Sequence, residues 1–362
     1  MTAQGTLPVE YRERLAALAG DADARPVWPE ASWDVLRQSG ALGWTIPRAY
    51  GGLEWTPRAL LAGYEQLAGA CLTTAFLLSQ REAACRRLLE SGREMLCREL
   101  LPALASGRHF ATVGLSQLTT SRQHTSPALR VLEEGTALVL NGVIPWVTGA
   151  AGAQHLIIGA ALDDGRQVLA VMPTDLPGVS VGPPLELMAL QGSVTAEVRC
   201  DGVRLDRDLL LAGPAERVVQ SGRGGTGGLE TSCLALGLAG AAIDELEREA
   251  ARRPELVEVA ESVRRQHGEV REEMLRLADA APDGGGKGRG DDAAALRARS
   301  NTLVLSATQA ALTAAKGTGF LLSHPAQRRA RQALFFLVWS CPWPAAAATL
   351  ARLTAAQPPS CS

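Results

Sequence analysis

The chain has 362 residues, 46% of them hydrophobic and 20% charged, enough to bury a large core divided between two or three structural units. Lys and Arg total 36 against 38 Asp and Glu, a formal net charge of -2, which removes the electrostatic case for a dedicated nucleic-acid binder. The seven cysteines are odd in number and form no CxxC pair, so neither a disulfide framework nor a zinc site is indicated, and a reduced, cytoplasmic setting is expected. The N-terminus lacks the apolar core of a signal peptide, because Glu10, Arg12, Glu13 and Arg14 follow almost at once. Residues 332–351 are uncharged, but Pro342 and Pro344 interrupt them and the rest is mostly alanine, so no membrane span is expected.

From about residue 9 to 107 the apolar residues recur at helical spacing, as in YRERLAALAG and MLCRELLPALASG. Pro26, Pro29, Pro47 and the pair Gly51-Gly52 punctuate the loops between those helices. Trp28, Trp33, Trp44 and Trp55 crowd the same region and are expected to pack between helices, since large aromatics dominate core burial. Between about 111 and 212 the pattern changes to short β-branched runs parted by Glu134-Gly135, Asp164-Gly165 and Asp201-Gly202. Such pairs tolerate positive φ, and they predict hairpins in a small antiparallel sheet or barrel. The glycine cluster SGRGGTGGL (221–229) then leads into a long helical remainder. Within that remainder, APDGGGKGRGDD (281–292) reads as a flexible connection, because its Gly-Lys lacks the Ser or Thr of a phosphate loop.

Common catalytic patterns are missing. GLSQL (114–118) lacks the closing glycine of a nucleophile elbow, and His109, His124, His155, His267 and His324 show no metal-ligand spacing. Cys341 reads as a small hydrophobe rather than a reactive thiol.

Several segments, in order, carry a resemblance. GALGWTIPRAYGG (40–52) with YEQLAGA (64–70), LNGVIPWVTGA (140–150) and ALQGSVTAEVRCDGVRLDRDLLLAGP (189–214) resemble motifs of the acyl-CoA dehydrogenase family at family spacing. The resemblance implies an α+β fold made of a helical N-terminal domain (1–110), a central antiparallel β domain (111–214) and a C-terminal four-helix bundle (215–362). It also implies a flavin-dependent oxidoreductase of lipid metabolism. Such an enzyme removes the α proton of an acyl-CoA thioester with a carboxylate while the β hydrogen leaves as hydride to FAD. An α proton next to a thioester is a poor acid in water, so the chemistry needs a desolvated base and a polarised carbonyl.

The family carries its carboxylate in one of two places. In KGTGFLLSHPAQRRARQALFFLVWSCPWP (316–344) the commoner place falls on Ser340, which cannot take the proton, and Gln332 stands where the family has an Asp. The second place, at the start of the first C-terminal helix, falls on Glu230, followed by Thr231 where an arginine is usual. Glu230 is therefore the catalytic candidate, and burial in a thioester pocket is expected to raise its pKa. A glutamate in the first helical turn is also favoured by the helix dipole alone, so both readings of Glu230 stay open.

For the flavin, the resemblance implies Leu115, Ser116, Trp146, Thr148, Gly317 and Gly319. The family's cofactor segment falls on SQLTTSRQ (116–123), where Ser121 replaces its glycine. The arginine segment that reaches a neighbouring subunit's dinucleotide is replaced by AARRPELVEVAESVRR. Expected partners are an acyl thioester, an electron-accepting flavoprotein, and further copies of this chain or a paralogue, because NTLVLSATQAALTAA (301–315) and ALFFLVW (333–339) are apolar over more than one face. Two alternatives stand beside the dehydrogenase reading: a catalytically silent subunit of a mixed oligomer, and a flavin-dependent monooxygenase of the same fold.

Overall fold

The structure, a computed structural model, describes residues 4–119, 127–219, 228–280, 287–341 and 343–354. Residues 221–227 of the glycine cluster, residues 281–286, Ser121, His124, Pro342 and Cys361 lie outside the described residues. The N-terminal part holds α1 (Val9–Ala24), α2 (Glu30–Ser39), α3 (Pro57–Ala70), α4 (Leu72–Glu90) and α5 (Glu94–Ala105). Their ends follow local chemistry. Thr56 caps α3 by accepting from the Ala59 amide ahead of Pro57, and Gly40 closes α2 at φ 75°. Trp33, Trp44 and Trp55 are buried, and Trp44 stacks on Trp55 at 4.4 Å between ring centroids.

The middle of the chain folds as β1 (Ala111–Gly114), the short α6 (Ser116–Thr119), β2 (Leu129–Glu134), β3 (Ala137–Val147), β4 (His155–Ala161), β5 (Gln167–Pro173), β6 (Val179–Pro184), β7 (Ala196–Asp206) and β8 (Leu210–Ala215). Spatial order is β6-β7-β3-β2-β4-β5-β8, with β1 on β4. The consecutive pairs β2–β3, β4–β5 and β6–β7 are antiparallel, as the turn chemistry requires, and Gly135 and Gly165 make the first two turns at φ 61° and 86°. Two departures from the sequence reading are informative. β1 runs parallel to β4, and β2 touches β4 in parallel at one residue pair, so the sheet is mixed rather than wholly antiparallel. Asp201-Gly202 is not a hairpin. β7 continues through it as a bulge at the register shift opposite Leu140 and Gly142, with Gly202 at φ 63° and its amide donating to Asn141 Oδ1 at 2.8 Å.

The C-terminal helices are α7 (Leu229–Ala250), α8 (Val257–Asp279), α9 (Lys287–Ala315), α10 (Pro325–Phe335) and α11 (Trp343–Thr354). α7 crosses α3 at close range: a Cβ at Gly237 would lie 2.2 Å from the Glu65 carbonyl oxygen, so only glycine allows this approach. That crossing sets where the first turn of α7 points. The stretch 301–315 is covered within its own chain: Leu303, Val304, Leu305, Ala307, Ala311 and Ala314 are buried. Exposed apolar surface lies instead at Phe320, Leu322 and Val338, which are at least three-quarters exposed. Among the described residues, no helix is long and apolar enough to cross a membrane.

Candidate active site

A cavity of about 670 Å³ opens where the three parts of the chain meet. This is within the range of about 300–1,000 Å³ for small-molecule sites. One wall is α4, through Phe76, Gln80 and Arg86; a second is the sheet, through Val113, Leu115, Trp146 and Thr148. The first turn of α7 supplies Glu230 and Thr231, and the end of α10 supplies Phe335, Trp339 and Ser340. Five of the seven sequence-selected positions thus become neighbours of one space: Leu115, Ser116, Trp146, Thr148 and Glu230, while Gly317 and Gly319 do not line it. Those two glycines form a turn after α9, where Gly319 packs closely on Ala315 and Leu312.

Glu230 is the only carboxylate among the cavity-lining described residues, which include no histidine, cysteine, tyrosine or lysine. Its position follows from helix geometry. It lies in the first turn of α7, whose buried face begins at Thr231 and Ser232 and continues through the Gly237 crossing. The expectation of a buried base is corrected in one respect. The Glu230 side chain is 34% exposed, and Oε1 accepts from Arg86 Nη1 at 2.7 Å. Arg86 is the residue that sequence reasoning missed. Burial opposes its charge, but Glu230 and Tyr64 together hold its guanidinium above the ordinary arginine range. A helical position four residues after Glu82, on a helix otherwise almost wholly buried, was the one available signal.

The opposite side of the cavity is apolar and aromatic. Phe335 stacks on Trp339 at 5.0 Å, and Phe76 meets both rings edge-on at 4.8 and 4.9 Å. Ser340, at φ 45°, joins this wall at the site where the sequence reading had noted a missing carboxylate. Arg331 lines the cavity too, but its charge is taken up by Asp23 of α1 at 2.9 Å, and it donates to the Met188 carbonyl at 2.6 Å. Gln332, in place of an acidic residue, donates to Asp23 Oδ1 at 2.8 Å.

On the sheet side, Thr195 donates to the Thr148 hydroxyl at 3.3 Å, and Ser193 and Thr195 are 2.8 Å apart. Ser193 lies within, and Thr195 just after, a turn in which Leu190 and Val194 sit at φ 61° and 40°, a conformation costly for a β-branched residue and held by burial of the surrounding loop. Trp146 is 48% exposed although it forms part of a concave wall. An uncovered indole beside paired hydroxyls fits a planar, hydrogen-bonding ring such as a flavin. Among the described residues, no group of His, Cys, Asp or Glu could hold a metal ion.

Residues 10–108 match the family described as "Acyl-CoA dehydrogenase, N-terminal domain". In sequence the chain is 25% identical over 240 residues to the "Probable acyl-CoA dehydrogenase YngJ" of Bacillus subtilis. The chain is similar to members of the acyl-CoA dehydrogenase family. The match to the Bacillus relative covers 64% of this chain and 63% of that protein, so the chain spans about six-tenths of its length.

In three dimensions the butyryl-CoA dehydrogenase of Megasphaera elsdenii has a TM-score of 0.83 at 17% identity, covering 98% of this chain and 97% of that one. A nitrososynthase from Micromonospora carbonacea var. africana has a TM-score of 0.80 at 21% identity, covering 98% and 97%. The chain shares its fold with both structures. Because proteins named for different chemistries share it, the reaction has to be argued from the residues in the cavity.

Proposed function

We propose that this chain is a member of the acyl-CoA dehydrogenase family and a flavin-dependent oxidoreductase that removes the α and β hydrogens of an acyl-CoA thioester, with Glu230 as the proton acceptor. One observation carries the proposal: Glu230 is the only carboxylate lining the cavity among the described residues, and it faces the same space as Trp146, Thr148 and Leu115. Trp146 and Thr148 would hold the ring of FAD, which supplies the hydride acceptor when bound. Leu115 and Ser116 would border it from the end of β1, and Gly317 and Gly319 are proposed to serve the remainder of the cofactor away from this cavity.

The residues of the chain divide the remaining work. Phe76, Phe335 and Trp339 enclose an apolar acyl group and exclude water, which strengthens every polar interaction left inside. The first turn of α7 presents the Glu230 carboxylate to the α carbon. Arg86 holds Oε1 of that carboxylate, which leaves Oε2 to take the proton. A flavoprotein is the proposed electron-accepting partner, and the exposed apolar residues Phe320, Leu322 and Val338 are proposed contacts between copies of the chain or with a paralogue.

The Arg86–Glu230 pair also supports a second reading, a catalytically silent subunit of a mixed oligomer, because the carboxylate is then a structural tie between α7 and α4. Visible absorbance of the purified protein separates the two. A flavin spectrum bleached by an acyl thioester, and not bleached in Glu230→Gln, supports the dehydrogenase. Colourless protein without turnover supports the silent subunit.

A further inference from the structure

Arg297 of α9 is 1% exposed and is among the largest wholly buried side chains of the protein. Among the described residues it pairs with no carboxylate. Its Nη2 instead donates to the main-chain carbonyls of Phe336 and Trp339, at 3.2 and 3.0 Å, and its guanidinium carbon lies 5.8 Å from the centre of the Phe336 ring. Nε and Nη1 have no hydrogen-bond partner among the described residues. Burial pushes the guanidinium pKa down to about 10. A buried cation of this kind is costly, and an apolar side chain of similar length would fill the space at less cost. Stability alone therefore does not account for an arginine here.

The two carbonyls belong to the turn that carries the aromatic wall of the cavity. α10 ends at Phe335, and the amides that follow bond three or four residues back, from Phe336 to Ala333 at 3.2 Å and from Trp339 to Phe335 at 2.9 Å. Ser340 then turns the chain at φ 45°. Carbonyls at the end of a helix lack partners within it and carry its negative pole, so a cation placed there meets both needs. Phe336 is fully buried against Arg297, whereas Phe335, Val338, Trp339 and Ser340 line the cavity. Arg297 itself does not line it. The Trp339 ring lies 5.0 Å from Phe335 with 12° between the planes, and Phe76 meets it edge-on.

We propose that Arg297 is a positioning residue for the ligand cavity: by holding the Phe336 and Trp339 carbonyls from behind, it fixes the turn beyond α10 and so keeps the Trp339 ring stacked on Phe335, where it closes the acyl pocket. That the enclosed group is an acyl chain rests on the function proposed above. The placement of the ring does not.

The ring is followed by ¹⁹F NMR of protein labelled with 5-fluorotryptophan, the Trp339 signal being identified by its absence in Trp339→Phe. The measurement needs neither flavin nor ligand. Arg297→Gln shortens the side chain and removes its charge, so the Trp339 signal should move as the stack on Phe335 opens. Arg297→Lys keeps the charge and three donors on a shorter reach, and should move the signal less. Binding is read by calorimetry with S-hexyl-CoA, a thioether, against CoA alone. Uncovering about two methylene groups of the hexyl chain in Arg297→Gln should weaken S-hexyl-CoA about tenfold while leaving CoA unchanged. A Trp339 signal that stays in place in folded Arg297→Gln overturns the proposal even if the thermal midpoint drops, since that is the result of a merely structural role. Equal weakening of S-hexyl-CoA and CoA also overturns it. Should Arg297→Gln fail to fold, Arg297→Lys decides: a displaced Trp339 signal supports the proposal and an unmoved one overturns it. Absence of S-hexyl-CoA binding to the unaltered protein counts against the acyl-CoA reading alone.

Discussion

Arg331 Nη2 lies 2.9 Å from Asp23 Oδ2 across 308 residues of sequence, and the pair joins the first helix of the chain to the helix that ends in the cavity wall. Asp23 is 1% exposed and also accepts from the Gln332 side chain and from the Leu190 amide, at 2.8 and 2.9 Å. One buried carboxylate therefore fastens α1, the strained loop before β7 and α10 at a single point. The same loop leads to Thr195, and α10 leads to Trp339 and Ser340, so this contact positions two sides of the cavity.

Asp23→Ala should accordingly destabilise the protein by about 3 kcal/mol, the lower end for breaking a buried ion pair because Arg331 remains partly solvated. Chemical denaturation measures the loss directly. Thioester affinity should weaken as well, since Met188 and Trp339 lose their shared anchor. Unchanged stability would mean that α10 docks through its apolar contacts alone.

Glu230→Gln should lower any thioester dehydrogenation by about 10² to 10⁴, the usual contribution of a general base. Its thermal midpoint should change little, because the side chain is a third exposed and an amide can still accept from Arg86. Flavin content and thioester binding should persist. Steady-state rates together with absorbance of the purified variant check all three.

Gly237→Ala places a methyl group 2.2 Å from the Glu65 carbonyl oxygen, a backbone atom that cannot swing aside. The α3–α7 crossing must open, at a cost of about 1–3 kcal/mol for overpacking. Because the crossing aims the first turn of α7, the Glu230–Arg86 pair should loosen too. Thermal unfolding reports the first effect, and the Arg86–Glu230 separation in a crystal structure of the variant, 2.7 Å in the unaltered chain, reports the second.

Two histidines give the fold a pH dependence of definite sign. Burial, then the neighbouring His109, holds His155 below its ordinary value of 6.5, and burial likewise lowers His267. A group whose folded pKa is depressed contributes stability above its unfolded pKa and loses it as pH falls through the folded value. The thermal midpoint should therefore fall as pH drops below about 6.5. His155→Gln should flatten part of that slope, and melting curves across this interval would reveal an unaltered slope if the histidine were not involved.

Much was legible in the sequence because it depends on neighbours along the chain. Helical spacing marked both helical parts, and Gly135 and Gly165 marked true hairpin turns, since period and turn chemistry are local properties. Glu230 as the candidate base and the missing carboxylate at Ser340 came from the resemblance to the acyl-CoA dehydrogenase family and not from local pattern. Asp201-Gly202 shows where local reasoning stops. The same dipeptide that makes a hairpin becomes a bulge when β3 lies alongside and Asn141 takes the Gly202 amide. The parallel pairing of β1 with β4 was hidden for the same reason, because a sheet partner 40 or so residues away leaves no mark on a strand's own pattern.

What only the tertiary structure decided is who faces whom in the cavity. Arg86 and Glu230 are 144 residues apart, and in an arginine-rich chain nothing in either residue's surroundings names the other. The aromatic wall of Phe76, Phe335 and Trp339 likewise forms only when α10 docks on α4. Periodicity tells a helix which face to bury, but the partner for that face is chosen by packing, by close crossings such as Gly237 on Glu65, and by buried charges such as Asp23. For that reason the sequence determined the order of helices, strands and helices, and its family resemblance put Glu230 forward as the candidate base, whereas the folded chain determined that Glu230 rests against an arginine.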